Sequence, residues 1–387
     1  MGAAPRQSGC VVIKIGSAIV APSGRLDPDT VARLAREITA VVRTGRAVVL
    51  VSSGAVACGL SALGLAAMPD RIVDRQAAAA AGQPRLVGAW MEALTANGVP
   101  GAQVLLTADD VEDRARFVNA RATIERLVSA RVVPVVNEND SVAFDELRLG
   151  DNDRLSALTA GLSGADRLVI LSEAPGLCRG GPGGEVIPVV EDPEAARVHV
   201  GRSKSSTGVG GMMTKLEAAG MARSMGIETV IAPGAEPGSL VSAALGEAIG
   251  TRFPPASGAV SRGGARKHWI GHAARTLGEL EIDAGAARAL RERGASLLPK
   301  GVVAVRTVGG PFGIGSPVEI VCDGLSVGRG LVSYASGEVE KILGAASAEI
   351  SARLGYTYCD EVVHRDNLIL NGTVAETLPA TGNGGSD

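Results

Sequence analysis

The stretch that decides the fold reads Gly150-Asp151-Asn152-Asp153-Arg154-Leu155-Ser156-Ala157-Leu158. Its leucines share one apolar face with Leu162, and Asp151 and Asn152 are good helix caps, so the pattern predicts a helix that begins here. The start of a helix presents free backbone N–H groups to an anion. Asp153, a carboxylate in that first turn, is suited to hold a cation or a lysine. An ordinary acid-rich helix cap would have the same sequence pattern, so both interpretations stay open.

A strand–helix alternation runs through the first 250 residues. Apolar runs predict strands at 10–15, 47–51, 102–106, 132–136, 167–171 and 228–232, and we take the last of these as the final strand. Helical spacing predicts helices at 72–94, 116–129 and 151–163, and another that opens at Asp27-Pro28. Continuous apolar strands between helices are typical of a mostly parallel sheet covered on both faces. The expected architecture is an α/β, three-layer αβα sandwich.

Polar residues follow several of these predicted strands. Lys14 and Gly16 flank the end of the first, Ser53-Gly54 follows the second, Asn137 to Asp140 follows the fourth and Ser172-Glu173 follows the fifth. Ligands of parallel sheets bind outside the carboxyl ends of the strands. The sheet should therefore gather these residues into one crevice.

The character of the sequence changes near residue 250. A segment with Pro254-Pro255 and many basic residues predicts a linker over 251–276. Short strands at 302–306, 318–322 and 330–334, separated by Gly-rich turns, predict a small β-rich domain over 277–371. The tail from 372 to 387 is expected to be disordered, and the first domain should span 1–250.

Composition excludes several classes of protein. A net charge of -3 and nine aromatic residues give no case for a dedicated nucleic-acid binder. Five scattered cysteines without a CxxC pair indicate neither a disulfide framework nor a zinc site, and fit a reducing cytoplasm. No apolar run approaches the length of a membrane span, so a cytoplasmic protein without membrane contact is expected.

Three Gly-rich turns could present backbone N–H groups to phosphates: Gly16, Gly54 and Gly208 to Gly211. The usual phosphate loop GxxxxGK[ST] is not in the sequence. Lys14 and Lys215 lie beside two of these turns, and cations at such positions suit phosphoryl transfer, where catalysis is mainly positioning and charge neutralisation. For this chemistry both lysines must share one cleft.

These motifs resemble those of the amino-acid kinase family. The resemblance rests on Lys14-Ile-Gly-Ser, Ser52-Ser-Gly-Ala, Val136-Asn-Glu-Asn-Asp, the stretch from Gly150, and Gly208-Val-Gly-Gly-Met-Met-Thr-Lys215. It runs from about residue 10 to 248. The C-terminal segment resembles a PUA domain, most clearly at Ser296-Leu-Leu-Pro-Lys-Gly301. The motif set is that of the family branch that phosphorylates glutamate.

The resemblance implies ATP-dependent phosphorylation of the γ-carboxylate of L-glutamate, the first step of proline biosynthesis. It implies ATP and Mg²⁺ as cofactors, proline as a feedback inhibitor and a homodimer or homotetramer; the metal ligands stay unknown. Lys14, Lys215 and Asp153 are the implied catalytic residues. The implied glutamate site comprises Ser53, Gly54, Asn137, Asp140 and Asn152. The implied ATP site comprises Lys14, Gly16, Ser172, Glu173, Gly208, Val209, Gly210, Gly211, Met212, Met213, Thr214 and Lys215.

Two segments depart from the family pattern. Ser172-Glu173 stands where relatives usually have Thr-Asp, with Cys178 in place of a tyrosine, and Val209 replaces a threonine. We expect weaker or shifted nucleotide affinity from these changes.

Two other functions stay open at this point. PUA domains elsewhere bind RNA, so an RNA-binding regulator is one alternative, although residues 278–370 hold nine basic against twelve acidic groups. RNA is therefore an unlikely partner. A sister kinase acting on acetylglutamate or aspartate is the other alternative.

Overall fold

A computed structural model describes residues 9–107, 110–111, 113–142, 151–200, 211–256, 276–308 and 310–371. The chain divides into two compact units at residues 262 and 263, and each is described by itself. Residues 257–275 of the predicted linker and the predicted tail from 372 lie outside the described residues.

The first unit is built on a seven-stranded sheet. Its strands are β1 (Cys10–Ile15), β2 (Ala47–Ser52), β3 (Gly101–Leu106), β4 (Val133–Glu138), β5 (Arg167–Ser172), β6 (Glu228–Pro233) and β7 (Thr251–Phe253). Their order across the sheet is β3-β4-β2-β1-β5-β6-β7. Every neighbouring pair is parallel except β6–β7, which is antiparallel. The parallel pairs require the helical crossovers that the sequence pattern predicts.

Helices cover both faces of this sheet. In chain order they are α1 (Ser17–Val20), α2 (Pro28–Arg43), α3 (Ala55–Gly59), α4 (Ile72–Ala96), α5 (Arg114–Ser129), α6 (Asp151–Leu162), α7 (Met212–Ser224) and α8 (Ser239–Leu245). Buried residues of α2, α3, α4 and α8 form one apolar core with the sheet. Buried residues of α5, α6 and α7 form a second core on the opposite face. The expected three-layer αβα sandwich is confirmed.

Alternation along β1 determines which layer each side chain enters. Ile13 and Ile15 pack in the core with α2 and α4, whereas Val12 packs in the core with α6 and α7. Because successive side chains of a strand point to opposite faces, Lys14 lies on the Val12 side. The sequence period therefore directs this lysine toward α6 and α7.

Two strand predictions are wrong. The strand at 228–232 is followed by β7, whose three residues we assigned to the linker; with so few residues, β7 gives almost no periodic signal. In the second unit, the strand predicted at 330–334 lies at Leu325–Leu331. The chain turns tightly at Asp323-Gly324 (φ 51° and 75°), so strand pairing starts earlier than the apolar run suggests.

The second unit contains a five-stranded sheet. Its strands are β8 (Gly278–Ile282), β9 (Val302–Thr307), β10 (Pro317–Cys322), β11 (Leu325–Leu331) and β12 (Leu368–Leu370), in the order β12-β11-β10-β8-β9. Among the described residues of this unit, three α-helices accompany the strands: α9 (Ala284–Arg293), α10 (Ser336–Ile342) and α11 (Ile350–Leu354). The predicted small β-rich domain is thus confirmed, with more helix than expected.

Other expectations about the chain can be compared with the described residues. The five cysteines are free thiols. No helix in the described ranges has the length and apolar character needed to cross a membrane.

Helices α3 and α4 touch backbone to backbone. A Cβ atom placed on Gly82 would lie 1.9 Å from the Ala55 carbonyl oxygen and 2.4 Å from the Gly59 amide nitrogen. Only glycine allows this approach. In the same helix, a Cβ on exposed Gly88 would meet nothing within 4 Å.

We expect Gly82→Ala to lower the free energy of unfolding by ~1–3 kcal/mol or more, because α3 and α4 must move apart. The matched control, Gly88→Ala, should raise it by ~0.5–1 kcal/mol, since alanine favours the helix interior. Urea unfolding of both variants measures the difference. Equal effects would contradict the close helix contact.

Candidate active site

Two lysines from distant segments share one carboxylate. Lys14 Nζ lies 2.6 Å from Asp153 Oδ1, and Lys215 Nζ lies 3.1 Å from Asp153 Oδ2. The three side chains are almost fully buried, and that of Asp153 is fully so. The two predicted cations therefore share a single cleft.

The charges of this cluster determine its protonation. Burial by itself would raise the pKa of Asp153, but the ammonium groups of Lys14 and Lys215 outweigh burial and hold that pKa at about 2. Burial, and then the nearby Lys14 ammonium, lower the pKa of Lys215; the carboxylate of Asp153 offsets part of this shift. Asp153 is therefore ionised at neutral pH.

Helices α6 and α7 bring the remaining groups of the cluster together. Asp153 lies in the first turn of α6, and Lys215 in the first turn of α7. Thr214 Oγ1 donates a hydrogen bond of 2.7 Å to Asp153 Oδ2, so this oxygen receives both a hydroxyl and an ammonium group. The two helix starts are thereby joined through one side chain.

A second polar network lies at the ends of β2 and β4. Asn152 Nδ2 donates to Ser53 Oγ over 2.9 Å and to Asn137 Oδ1 over 3.2 Å. Asn137 Nδ2 donates in turn to Gln83 Oε1 over 2.7 Å. This amide chain, from Ser53 through Asn152 and Asn137 to Gln83, connects four elements of the fold.

Ser52, the residue before Ser53, faces the opposite layer of the fold and contacts Trp90. Ser52 Oγ accepts a hydrogen bond of 2.8 Å from Trp90 Nε1, and both residues are fully buried. Ser52 also donates to the Ser53 carbonyl over 3.2 Å. The Ser52 hydroxyl thus belongs to the core on one face of the sheet. The hydroxyl of the next residue, Ser53, belongs to the polar network at the cavity.

A cavity of about 500 Å³ joins the lysine cluster and the amide chain. Pockets of this size hold small-molecule ligands. The predicted site residues that line it are Lys14, Gly16, Ser53, Gly54, Asn137, Asp140, Asn152, Asp153, Ser172, Glu173, Gly211, Met212 and Lys215. Gly54 has φ 117°, a conformation that favours glycine.

Two other described residues of the predicted site are not among those that line the cavity. Thr214 supports Asp153, and Met213 is not among the lining residues described. Gly208, Val209 and Gly210 lie outside the described residues.

Sequence reasoning missed several residues at or near the cavity, three of which are Gln83, Met68 and Arg75. Gln83 ends the amide chain, and Met68 and Arg75 line the wall. Gln83 and Arg75 belong to the alanine-rich helix α4, whose residues spell no motif. Only the fold shows that this helix passes beside the ends of the strands.

Mg²⁺ needs oxygen ligands in a nearly octahedral arrangement. Within the ranges that the structure describes, no cluster of three or more His, Cys, Asp or Glu side chains is arranged to hold an ion. Both oxygens of Asp153 face ammonium groups. These residues do not form a protein cage for a cation. In kinases, Mg²⁺ is typically held by substrate phosphates with one or two carboxylates.

Comparison with known proteins agrees with this fold. The amino acid kinase family matches residues 9–233, and the PUA domain matches residues 278–354. The chain therefore belongs to the amino acid kinase family, with a PUA domain after the kinase unit.

Curated relatives specify the branch of the family. Proteins named glutamate 5-kinase from Trichlorobacter lovleyi and Thermus thermophilus are each 47% identical to this chain, covering 93% of it and 96% of their own length. The protein of that name from Anaeromyxobacter dehalogenans is 46% identical, covering 95% of this chain and 97% of its own. Within the family, the chain groups with the glutamate 5-kinases.

Because the pKa of Asp153 is low, the contribution of this residue to stability should depend on pH. Its folded-state pKa of about 2 lies below the ordinary 3.8, so its ionisation stabilises the fold above about pH 5 and loses this effect as the pH falls toward 2. We expect the stability advantage of the wild type over Asp153→Asn to shrink by about 2 kcal/mol between pH 6 and 2. Urea unfolding across this range measures the advantage. A constant difference would show that Asp153 does not titrate in this way.

Proposed function

We propose that this protein transfers the γ-phosphoryl group of ATP to the γ-carboxylate of L-glutamate, the first step of proline biosynthesis. The observation that carries the proposal is the pair of lysines, Lys14 and Lys215, held on Asp153 at one cavity with the amide chain. The names of the relatives, which match over nearly their whole length, support the same reaction.

Phosphoryl transfer needs positive charge around the moving group. In our proposal Lys14 and Lys215 neutralise the negative charge that spreads over the phosphoryl oxygens in the transition state. Asp153 holds both ammonium groups by ion pairs and directs them, although it does not touch the phosphate. Because the cations are already buried and oriented, little reorganisation is required during the reaction.

The acceptor needs no general base. A glutamate γ-carboxylate with an ordinary pKa of about 4.3 is already ionised at pH 7. We assign Ser53, Gly54, Asn137, Asp140 and Asn152 to the acceptor. The carboxylate of Asp140 would pair with the substrate α-ammonium, a charge-assisted contact worth about 1.5–3 kcal/mol. An acetylated amine could not make this contact, so the site would prefer free glutamate.

We assign the opposite part of the cavity to ATP. Ser172 ends β5 and Glu173 follows it, while Gly211 is the N-cap of α7 and Met212 its first residue; all four line the cavity, as the two lysines do. The loop residues Gly208 to Gly210 would complete this half. Mg²⁺ would enter with the ATP phosphates and supply further charge neutralisation when bound. The departures at Glu173, Cys178 and Val209 predict altered nucleotide affinity.

Regulation and assembly follow from the family resemblance. We propose proline as a feedback inhibitor and a homodimer or homotetramer as the working form. Chromatography with light scattering measures the assembly.

A hydroxamate assay tests the proposed reaction. Hydroxylamine displaces phosphate from glutamyl phosphate to give a hydroxamate, which forms a coloured complex with added iron(III). This hydroxamate should form only with ATP, glutamate and a divalent cation together. Glutamate should be strongly preferred over N-acetylglutamate and aspartate, and proline should reduce the rate. Preference for N-acetylglutamate or aspartate would identify a sister kinase and overturn the proposal.

We expect Lys215→Ala to lower kcat by about 10³-fold or more, because a cation is lost from the transition state. Glu217→Ala, an exposed change two residues along the same helix, is the matched control and should keep the wild-type rate. Steady-state kinetics of the purified variants measure both. A folded Lys215→Ala enzyme with near-normal turnover would remove Lys215 from the mechanism.

A further inference from the structure

Arg75, near the start of α4, lines the cavity together with Lys14 and Lys215. Both lysines are paired with Asp153. The half-buried Arg75 side chain donates a hydrogen bond of 2.7 Å from Nε to the Pro69 carbonyl oxygen. No carboxylate in the described part of the chain forms an ion pair with its guanidinium. Both terminal nitrogens of Arg75 are therefore available to a ligand.

The position of Arg75 on α4 places it on the side of the cavity that carries the amide chain. Arg75, Ala79 and Gln83 follow one another at intervals of four residues, so they lie along one side of the helix. Gln83 accepts the hydrogen bond of Asn137, and Ala79 packs in the same core as residues of α3. At 1.5 Å per residue, Arg75 stands about 12 Å from Gln83 toward the start of the helix. Residues 55–57 of α3, which also line the cavity, belong to this side.

A free amino acid brings three charges into such a cavity. In the proposed reaction the γ-carboxylate of glutamate faces the phosphoryl group, and its α-ammonium pairs with Asp140. The α-carboxylate then needs a partner of its own, because a charge removed from water without one is costly. Lys14 and Lys215 are held by Asp153 for the phosphoryl group. Arg75 has the matching charge, and a guanidinium presents its N–H groups in a planar fork that fits a carboxylate.

We propose that Arg75 binds the α-carboxylate of the acceptor and so makes the site specific for an α-amino acid. With Asp140 on the α-ammonium, the site contacts both charged groups of the α-carbon. The hydrogen bond to Pro69 orients the guanidinium and leaves its outer edge for two parallel N–H contacts to the carboxylate. This inference rests on the proposed function, because it takes glutamate as the acceptor.

An acceptor without the α-carboxylate separates binding from a structural role of Arg75. 4-Aminobutyrate is glutamate with the α-carboxylate replaced by hydrogen, so it keeps the ammonium group and the carboxylate that would be phosphorylated. If Arg75 only holds the turn at Pro69, its substitution should weaken the binding of both compounds equally. If Arg75 binds the α-carboxylate, the substitution should weaken the binding of glutamate alone.

The test measures KM for glutamate, KM for ATP and the inhibition constant of 4-aminobutyrate against glutamate in the full-length enzymes. Thermal unfolding verifies that each variant is folded. Arg75→Met removes the charge at similar length, whereas Arg75→Lys keeps the charge without the planar fork. Arg71→Met, the same change at an exposed position just before α4, is the control.

We expect Arg75→Met to raise KM for glutamate about 10- to 100-fold, the size of one lost charge-assisted contact. KM for ATP and the inhibition constant of 4-aminobutyrate should stay near their wild-type values. Arg75→Lys should lie between the wild type and Arg75→Met, and Arg71→Met should match the wild type. The wild type should bind 4-aminobutyrate about 10- to 100-fold more weakly than glutamate, and Arg75→Met should remove most of this difference.

Several results would overturn the proposal: an Arg75→Met enzyme with the wild-type KM for glutamate, equal weakening of glutamate and 4-aminobutyrate, or a wild type that does not distinguish the two compounds. Absence of inhibition of the wild type by 4-aminobutyrate at about 10³ times KM for glutamate would also overturn it, because one such contact cannot account for so large a difference. Failure of the proposed function looks different, because the wild type would then form no hydroxamate from glutamate.

Discussion

One buried carboxylate, that of Asp153, allows two lysine ammonium groups to lie close together inside this protein. Two ammonium groups placed together in a protein interior repel each other and lose their hydration, and either effect favours their neutral forms. Asp153 offsets both effects by contacting one lysine with each oxygen. The contact joins β1, α6 and α7, so the positions of these three elements and the positive charge of the cavity depend on the same ion-pair cluster.

The periodicity of the sequence was sufficient to predict much of this arrangement. Alternation along β1 places Lys14 on the face of α6 and α7, and parallel strands bring their carboxyl ends to one edge. The first six strands and the main helices of the kinase unit were therefore predictable from local patterns. The motif resemblance added the assignment of Asp153 and Lys215 to one site, which spacing alone does not give.

What the sequence did not reveal depends on contacts between distant residues. Gln83 lies in an alanine-rich helix and has no local feature that separates it from a surface glutamine. Its place in the amide chain comes from a 2.7 Å hydrogen bond to a residue 54 positions away. Strand β7 is similar, since three residues acquire strand geometry only by pairing with β6. Both features are determined by contacts between residues that lie far apart in the sequence.

The neighbouring serines at the end of β2 show how the two faces of the sheet depend on each other. Trp90 holds Ser52 in the core, and Asn152 holds Ser53 at the cavity. A slip of β2 by one residue would exchange the two hydroxyls and turn every side chain of the strand to the wrong layer. The Trp90–Ser52 hydrogen bond therefore reports the register of β2: whenever it forms, the next serine, Ser53, stands at the cavity.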